Sequence, residues 1–314
     1  MYQSFQFRDV LPGPASSASP ASPAYAAWRI GDVLPEGAAL DLECQFLPEA
    51  LARTGDIAFL SFDERRVLNQ IRGHEYLSLF GLLEAFILPF VLGQARVPEG
   101  RSDGGAGDRA LIQFAAEEAK HILLFERFDT LFAEAFGTRC DVIGPAEAIA
   151  RDILAHDPLS IALMILHIEW MTQRHYVGSV CDNRDIDPLF RSLLRHHWIE
   201  EARHAQIDIV LVETLARGRS AAQIEAAVEG YFDICAYLDA GLRTQTGFNL
   251  DAFERATGRV LSQDERAQLT IEQHQALRWT YLGSGMTHPQ FLASLGAISP
   301  SARERVANTA PAFC

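Results

Sequence analysis

Two nearly identical pentapeptides constrain this chain of 314 residues more than any other feature of its sequence. They are EEAKH at 117–121 and EEARH at 200–204, each inside a long stretch of helical periodicity. In both, a Glu and a His stand three residues apart on one helix face, where they can reach the same metal ion. The pair of motifs therefore predicts a metal centre between two helices, with the ligands Glu118, His121, Glu201 and His204.

The helical pattern starts at Ser61, where Glu64 three residues later completes a capping box. Pro158 and Pro188 mark two further helix starts, because the first helical turn does not use the N–H that proline lacks. Since no useful β-type alternation occurs, the sequence predicts an all-α fold with a four-helix bundle core and additional C-terminal helices. The predicted helices cover about 61–94, 108–136, 145–155, 158–180, 188–218, 219–243 and 262–283.

Composition divides the chain into three predicted regions. Residues 1–58 form an irregular N-terminal extension that lies as a strap on the main body, and its Pro/Ala/Ser segment 13–24 is expected to be flexible. Residues 59–285 form the helical domain that carries the metal centre. Residues 286–314 form a C-terminal tail.

Charge and cysteine content exclude several classes of function. The net charge of −14 and the pI of about 5.1 oppose attraction to nucleic acids or to anionic membrane surfaces. The five cysteines are widely scattered, which disfavours a disulfide framework, a zinc ribbon and a built-in iron–sulfur module. Because neither a secretory signal nor an unbroken apolar span is evident, we expect a cytoplasmic protein without nucleic-acid or membrane partners.

A carboxylate-bridged metal pair in a helical bundle also needs one inward Glu from each of two other helices. Glu169 is the only acidic residue between positions 160 and 180, and its helix face is apolar, so its burial requires a neutralising cation. On the first helix, Glu75 and Glu84 are nine residues apart and lie on opposite faces. Only Glu84 has apolar neighbours and is level with Glu118 in an antiparallel pair, so we predict Glu84 as the ligand and expect Glu75 to face away.

Three more acidic residues are candidates to support the ligands. Glu117 and Glu200 each precede a ligand Glu, and each is placed to accept a hydrogen bond from a ligand histidine of the facing helix. The alternative is that each is a solvated charge beside a basic neighbour. Asp208 lies one turn beyond His204, faces inward and is the stronger candidate for such support.

His197 lies one turn before Glu201 on the same face, and its spacing fits either a ligand or a core histidine. The whole pattern resembles the ferritin-like non-haem diiron oxygenases over about residues 60–217. Within them it is similar to the p-aminobenzoate N-oxygenase family, which has a third histidine on the last ligand helix. The resemblance implies a ferritin-like four-helix bundle and the metal ligands Glu84, Glu118, His121, Glu169, His197, Glu201 and His204.

The same resemblance implies what the centre does. Two iron ions would be the cofactor, and manganese in one site is compatible with these ligands. The pair would activate dioxygen and oxidise a small organic substrate, with N-oxygenation of an amine as the family's reaction and hydroxylation or desaturation of another substrate as alternatives. Because the chain carries no reductase module, we expect an external electron donor such as a reductase or a ferredoxin. A homodimer is the default expectation for assembly.

Three rival interpretations use the same fold. A ferroxidase or other iron-handling ferritin-like protein would share the ligands but usually has a shorter chain. A radical-generating subunit like that of ribonucleotide reductase would need a tyrosine one turn after the first ligand histidine, where Phe125 stands. A non-catalytic bundle would bind no iron at all.

Overall fold

The helices begin mostly where the capping signals predict in the computed structural model, which describes residues 28–95 and 106–314. The predicted flexible segment 13–24 lies outside the described residues. The helices of the predicted bundle core are the third, fourth, sixth and seventh along the chain. In chain order the helices are α1 (Ile30–Val33), α2 (Glu49–Ala52), α3 (Phe62–Gln94), α4 (Ala106–Phe136), α5 (Ala146–Leu154), α6 (Pro158–His175, followed by a π-helical turn, Tyr176–Val180), α7 (Pro188–Ala216), α8 (Ala221–Thr257), α9 (Gln263–Arg278, followed by a π-helical turn, Trp279–Gly283), α10 (Ser284–Met286), α11 (Pro289–Ile298) and α12 (Pro300–Thr309).

Local hydrogen bonds explain where the core helices begin. The Ser61 hydroxyl accepts from the Glu64 N–H at 3.3 Å, and the Glu64 carboxylate accepts from the Ser61 N–H at 2.7 Å, so the predicted capping box is present. Asp157 and Asp187 cap α6 and α7 by accepting from the N–H groups of Leu159 and Phe190, and each is followed by a proline at the first helical position. These caps fix the register of the helices that carry the candidate ligands.

The predicted all-α class is confirmed. Within residues 28–95 and 106–314 there is no β-strand, and one isolated bridge joins Gln45 to Ile186. Helix α3 packs along α4, α6 packs along α7, and contacts between α4 and α7 join the two pairs. Helix α8 lies against α3 and α6, so the later helices cover the outer side of the bundle.

The chain beyond residue 218 is more helical than its sequence indicated. Helix α8 continues past the predicted end near 243 to Thr257, where Gly258 caps it with a φ of +70° that favours glycine. The predicted tail forms α11 and α12, and their Phe291, Leu295 and Val306 are fully buried in the main hydrophobic core. The tail is thus part of the packed body.

The irregular stretch before α3 is fastened to the bundle by one buried amide. The Asn69 side-chain oxygen accepts from the backbone N–H groups of Phe46 and Leu47 at 2.8 and 3.0 Å, and its amide nitrogen donates to the Leu47 carbonyl at 2.8 Å. Phe46 crosses α3 at Gly73, where an added Cβ would lie only 2.5 Å from the Phe46 Cβ. The strap therefore lies against the bundle as predicted, with backbone polar groups satisfied.

Among the helices of the described residues, one, α3, is long and apolar enough to cross a membrane by length and composition. Its most apolar window is 56% buried against the rest of the protein, and the buried core helix of a globular domain has the same properties. The expected cytoplasmic location remains a prediction.

Candidate metal centre

Four helices bring all seven predicted ligands to one place. Helix α3 supplies Glu84, α4 supplies Glu118 and His121, α6 supplies Glu169, and α7 supplies the remaining three. Each of the seven side chains is at most 3% exposed. We refer to the set as the carboxylate–histidine centre, and its members are Glu84, Glu118, His121, Glu169, His197, Glu201 and His204.

The first half of the centre contains one atom each from Glu84, His121, His197 and Glu201, all within 4.8 Å of one another. His197 Nε2 lies 3.1 Å from Glu84 Oε1 and 2.6 Å from Glu201 Oε1. His121 Nδ1 lies 3.0 Å from the same Glu201 oxygen. His197, for which the sequence left two interpretations open, therefore lies among the candidate ligands and not against a backbone carbonyl.

The second half contains one atom each from Glu118, Glu169, Glu201 and His204, again within 4.8 Å of one another. His204 Nδ1 lies 2.9 Å from Glu118 Oε1 and 2.9 Å from Glu201 Oε2. Glu201 belongs to both halves, because its Oε1 faces His121 and His197 while its Oε2 faces His204. This is the position from which one carboxylate can bridge two cations.

Several of these buried atoms have no hydrogen-bond partner among the described residues. His121 Nδ1 and Glu201 Oε1 are close, yet their geometry is not that of a hydrogen bond. Leaving a buried polar group unpaired costs about 1–3 kcal/mol, so native structures seldom do it without a reason. Cations between the two halves would satisfy the unpaired atoms Glu84 Oε2, Glu118 Oε1, His121 Nδ1, Glu169 Oε2 and Glu201 Oε1.

The carboxylates repel one another in this buried space. Burial and the charges of Glu201 and Glu84 raise the pKa of Glu118 to about 7. Burial, Glu201 and Glu118 raise the pKa of Glu169 well above its usual range. Four carboxylates carry the negative charge that two divalent cations would balance, and three imidazoles add nitrogen ligands, so the donor set fits a dinuclear centre.

Glu117 and Glu200 form reciprocal contacts across the bundle. His121 Nε2 lies 2.7 Å from Glu200, and His204 Nε2 lies 2.9 Å from Glu117. Because each carboxylate accepts the proton on Nε2, the Nδ1 of each histidine would be the atom that binds a cation. This is the arrangement that was predicted for both residues.

Each of these two carboxylates also has a cationic partner. Lys120 Nζ lies 2.5 Å from Glu200, and the Arg203 guanidinium donates to Glu117. The basic neighbours, which at first suggested solvated charges, instead neutralise two buried carboxylates that do not belong to the centre itself.

Asp208 is completely buried behind the second half of the centre, as predicted. Neither of its oxygens has a hydrogen-bond partner among the described residues. Burial and the nearby charges of Glu118 and Glu201 raise its pKa well above the usual range, despite the opposing effect of His204. Asp208 therefore makes no hydrogen bond to a ligand within the described residues, and its support of the centre remains a prediction.

Aromatic rings surround the histidines and exclude water. Phe114 stacks on His204 with ring centroids 3.8 Å apart, and Phe80 meets His197 edge-on at 5.2 Å. Trp28 stacks on His121 at 5.9 Å. No local pattern pointed to Trp28, because it precedes His121 by more than ninety positions in an irregular stretch.

The expectation that Glu75 faces away from the interior is wrong. Its side chain is fully buried and forms an ion pair with Arg72 at 2.7 Å, and Arg72 is also fully buried. Glu75 does lie on the face of α3 opposite Glu84, but α8 and the end of α9 cover that face. It belongs to neither half of the carboxylate–histidine centre.

A cavity of about 700 Å³ lies against α3, α4 and α5. Phe125 lines it and also approaches His197, with ring centroids 5.1 Å apart, so this one ring stands between the cavity and the centre. The cavity wall is mostly apolar, with acidic side chains on it: Glu126, Asp129 and Glu147.

Comparisons of the chain with protein-family models, with curated proteins and with solved structures find no match.

Proposed function

We propose that the chain is an O₂-activating non-haem diiron oxygenase with a ferritin-like bundle, acting on a small organic substrate. The observation that carries the proposal is the arrangement of seven buried ligand residues in two halves that share Glu201. A Glu-x-x-His from each of two helices and a Glu from each of two others is the ligand set of carboxylate-bridged diiron bundles.

In this proposal Glu84, His121 and His197 would hold one iron, Glu118, Glu169 and His204 would hold the other, and Glu201 would be a ligand of both. Carboxylate oxygens and imidazoles suit iron, and they accept manganese as well. A reduced iron pair would supply the electrons that activate O₂. The protein holds the ligand histidines in one tautomer through Glu117 and Glu200, and it keeps water away with Phe80 and Phe114.

The cavity beside Phe125 supports an organic substrate over iron storage. Its volume of about 700 Å³ is in the range of small-molecule sites. Of its three acidic lining residues, Asp129 is paired with His74 at 2.5 Å, and its one arginine, Arg151, is paired with Asp152 at 3.0 Å, so Glu126 and Glu147 leave the lining negative. A negatively charged lining favours a neutral or cationic amine over an acid, which agrees with N-oxygenation.

Electrons would come from a separate reductase or ferredoxin, because the five cysteines lie apart and form no cluster site. Assembly as a homodimer in the cytoplasm completes the proposal.

The test is O₂ reactivity. Protein loaded with Fe²⁺ without oxygen is mixed rapidly with O₂ while the visible spectrum is recorded, and a panel of arylamines is then screened for oxygenated products by mass spectrometry. The proposal predicts fast oxidation of the iron and an oxygenated product from at least one amine. Slow oxidation with accumulation of a mineral iron core would instead establish iron handling.

The matched variants are His197→Ala and His196→Ala. His196 is the adjacent histidine, and its Nδ1 lies 2.7 Å from the Ser192 carbonyl, away from the centre. Only the change at His197 should alter the reaction with O₂.

A further inference from the structure

A second buried polar cluster includes Glu75, which lies on the face of α3 opposite Glu84. Its members are Arg72, Glu75, Tyr76, His175 and Tyr281, and the two tyrosines are 3% and 4% exposed. Their ring centroids are 6.1 Å apart. None of its members belongs to the carboxylate–histidine centre, and the oxygenase chemistry makes no use of it.

One aromatic ring connects this cluster to the centre. Phe80 lies 5.2 Å from the candidate ligand His197, 4.8 Å from Tyr76 and 6.3 Å from Tyr281, measured between ring centroids. All four side chains are almost completely buried. A continuous aromatic path therefore runs from a candidate ligand to two oxidisable phenols.

Both phenols have a hydrogen-bond acceptor for the proton that a tyrosine releases when it is oxidised. The Tyr281 hydroxyl donates to Glu75 Oε1 at 3.0 Å. The Tyr76 hydroxyl lies 2.8 Å from His175 Nδ1.

The hydrogen bonds around Ser284 fix the tautomer of His175. The Ser284 hydroxyl donates its one proton to the Thr280 carbonyl at 2.9 Å, so His175 Nε2 must donate to Ser284. Burial and the charge of Arg174 lower the pKa of His175 to about 3, so the ring is neutral and its Nδ1 accepts from Tyr76.

Glu75 is the better proton acceptor of the two. Its carboxylate pairs with Arg72 at 2.7 Å, and burial raises its pKa and so makes it a stronger base, whereas protonation of His175 would create a buried cation beside Arg174. Burial and the charge of Glu75 raise the pKa of Tyr281 well above its usual range, so its phenol remains protonated until an electron leaves. Electron and proton must therefore depart together.

We propose that Tyr281, assisted by Glu75, is a one-electron donor to the oxidised metal centre, through Phe80 and with Tyr76 as its neighbour on the path. This proposal rests on the proposed function, because the O₂-oxidised metal pair is the oxidant. In the step, one electron passes from Tyr281 to the centre and the phenolic proton passes to Glu75. The products are a neutral tyrosyl radical, a protonated Glu75 and a centre reduced by one equivalent. This electron transfer would reduce a centre that O₂ has oxidised while no substrate is bound.

Trp28 is the competing donor, since it stacks on His121. However, Lys120 Nζ lies 3.7 Å above the Trp28 ring, and this ammonium charge opposes the loss of an electron from the indole. The indole N–H also has no hydrogen-bond acceptor among the described residues. These two facts assign the donor role to the tyrosine.

The experiment uses iron-loaded protein that is reduced without oxygen, mixed with O₂ in the absence of substrate, and frozen for EPR spectroscopy. The variants are Tyr281→Phe and Phe80→Leu, and Tyr231→Phe is the matched control. Tyr231 is also fully buried and lies 2.7 Å from a histidine, but its ring contacts are His167, Phe232 and Phe291. The visible absorbance of the oxidised centre reports iron loading and folding in every sample.

We expect an organic-radical signal in the wild type and in Tyr231→Phe, with its hyperfine pattern changed by ring-deuterated tyrosine. Most of the signal should be lost in Tyr281→Phe and in Phe80→Leu. Oxidation of the iron without a radical, or an equal radical in Tyr281→Phe, would overturn the inference and leave the oxygenase proposal intact. Protein that binds no iron or does not react with O₂ would defeat both.

Discussion

Replacing Glu by Gln at two buried positions of α3 should lower the stability of the protein at Glu75 and its iron content at Glu84. Glu75 and Glu84 are 0% and 2% exposed, but Glu75 is paired with the buried Arg72 whereas Glu84 faces other carboxylates and two histidines. Glu75→Gln leaves the Arg72 charge without its partner, and breaking a buried pair in this way costs about 3–5 kcal/mol. Glu84→Gln removes one of several mutually repelling charges and weakens only the contact with His197, so the metal-free protein should lose much less stability.

The expected change in the Tm of Glu75→Gln can be worked out from the length of the chain. An unfolding entropy of about 2 cal/mol/K per residue, over 314 residues, converts that free energy into a Tm lower by roughly 5–8 °C. The assay is thermal unfolding of both metal-free variants, followed by measurement of bound iron. Glu75→Gln should retain its iron, and Glu84→Gln should lose iron from the first half of the centre. Loss of iron in both variants, or a lower Tm only in Glu84→Gln, would refute this assignment.

Three further outcomes are expected. Glu200→Gln weakens the hold on His121 and should lower metal affinity roughly 10–100-fold, measured by competition with a chelator, and unchanged affinity would exclude this role. His197→Ala should change the visible spectrum of the oxidised centre while most iron stays bound, and an unaltered spectrum would make His197 a packing residue. Ser61→Ala removes a helix cap and should lower the free energy of unfolding by about 1 kcal/mol without affecting iron content, as denaturant titration can check.

Local signals in the sequence were sufficient to predict where the core helices begin and which face of each carries the candidate ligands. Ser61 with Glu64, and the prolines that begin α6 and α7, mark helix starts because each satisfies or avoids an orphan N–H group. The spacing of Glu118 and His121 predicts a shared face, because residues three apart are neighbours on the surface of a helix. These arguments depend on geometry within one helix.

Features that depend on contacts between distant segments could not be predicted in this way. The burial of Glu75 follows from the packing of α8 and the end of α9 on α3, which no pattern within α3 encodes. The stacking of Trp28 on His121 also joins parts of the chain that are far apart in sequence. The extension of α8 to Thr257 was missed because polar residues obscure its periodicity, although Gly258 was an available stop signal.

The most direct test of the central claim is the number of metal ions per chain. Wild-type protein and Glu201→Ala are loaded with Fe²⁺ without oxygen, desalted, and analysed for iron and manganese, with His196→Ala as the control. Because Glu201 belongs to both halves of the centre, the account predicts about two metal ions per chain in the wild type and the control, and a loss from both sites in Glu201→Ala. A wild-type protein that holds no metal, or a Glu201→Ala variant that holds as much as the wild type, would contradict it.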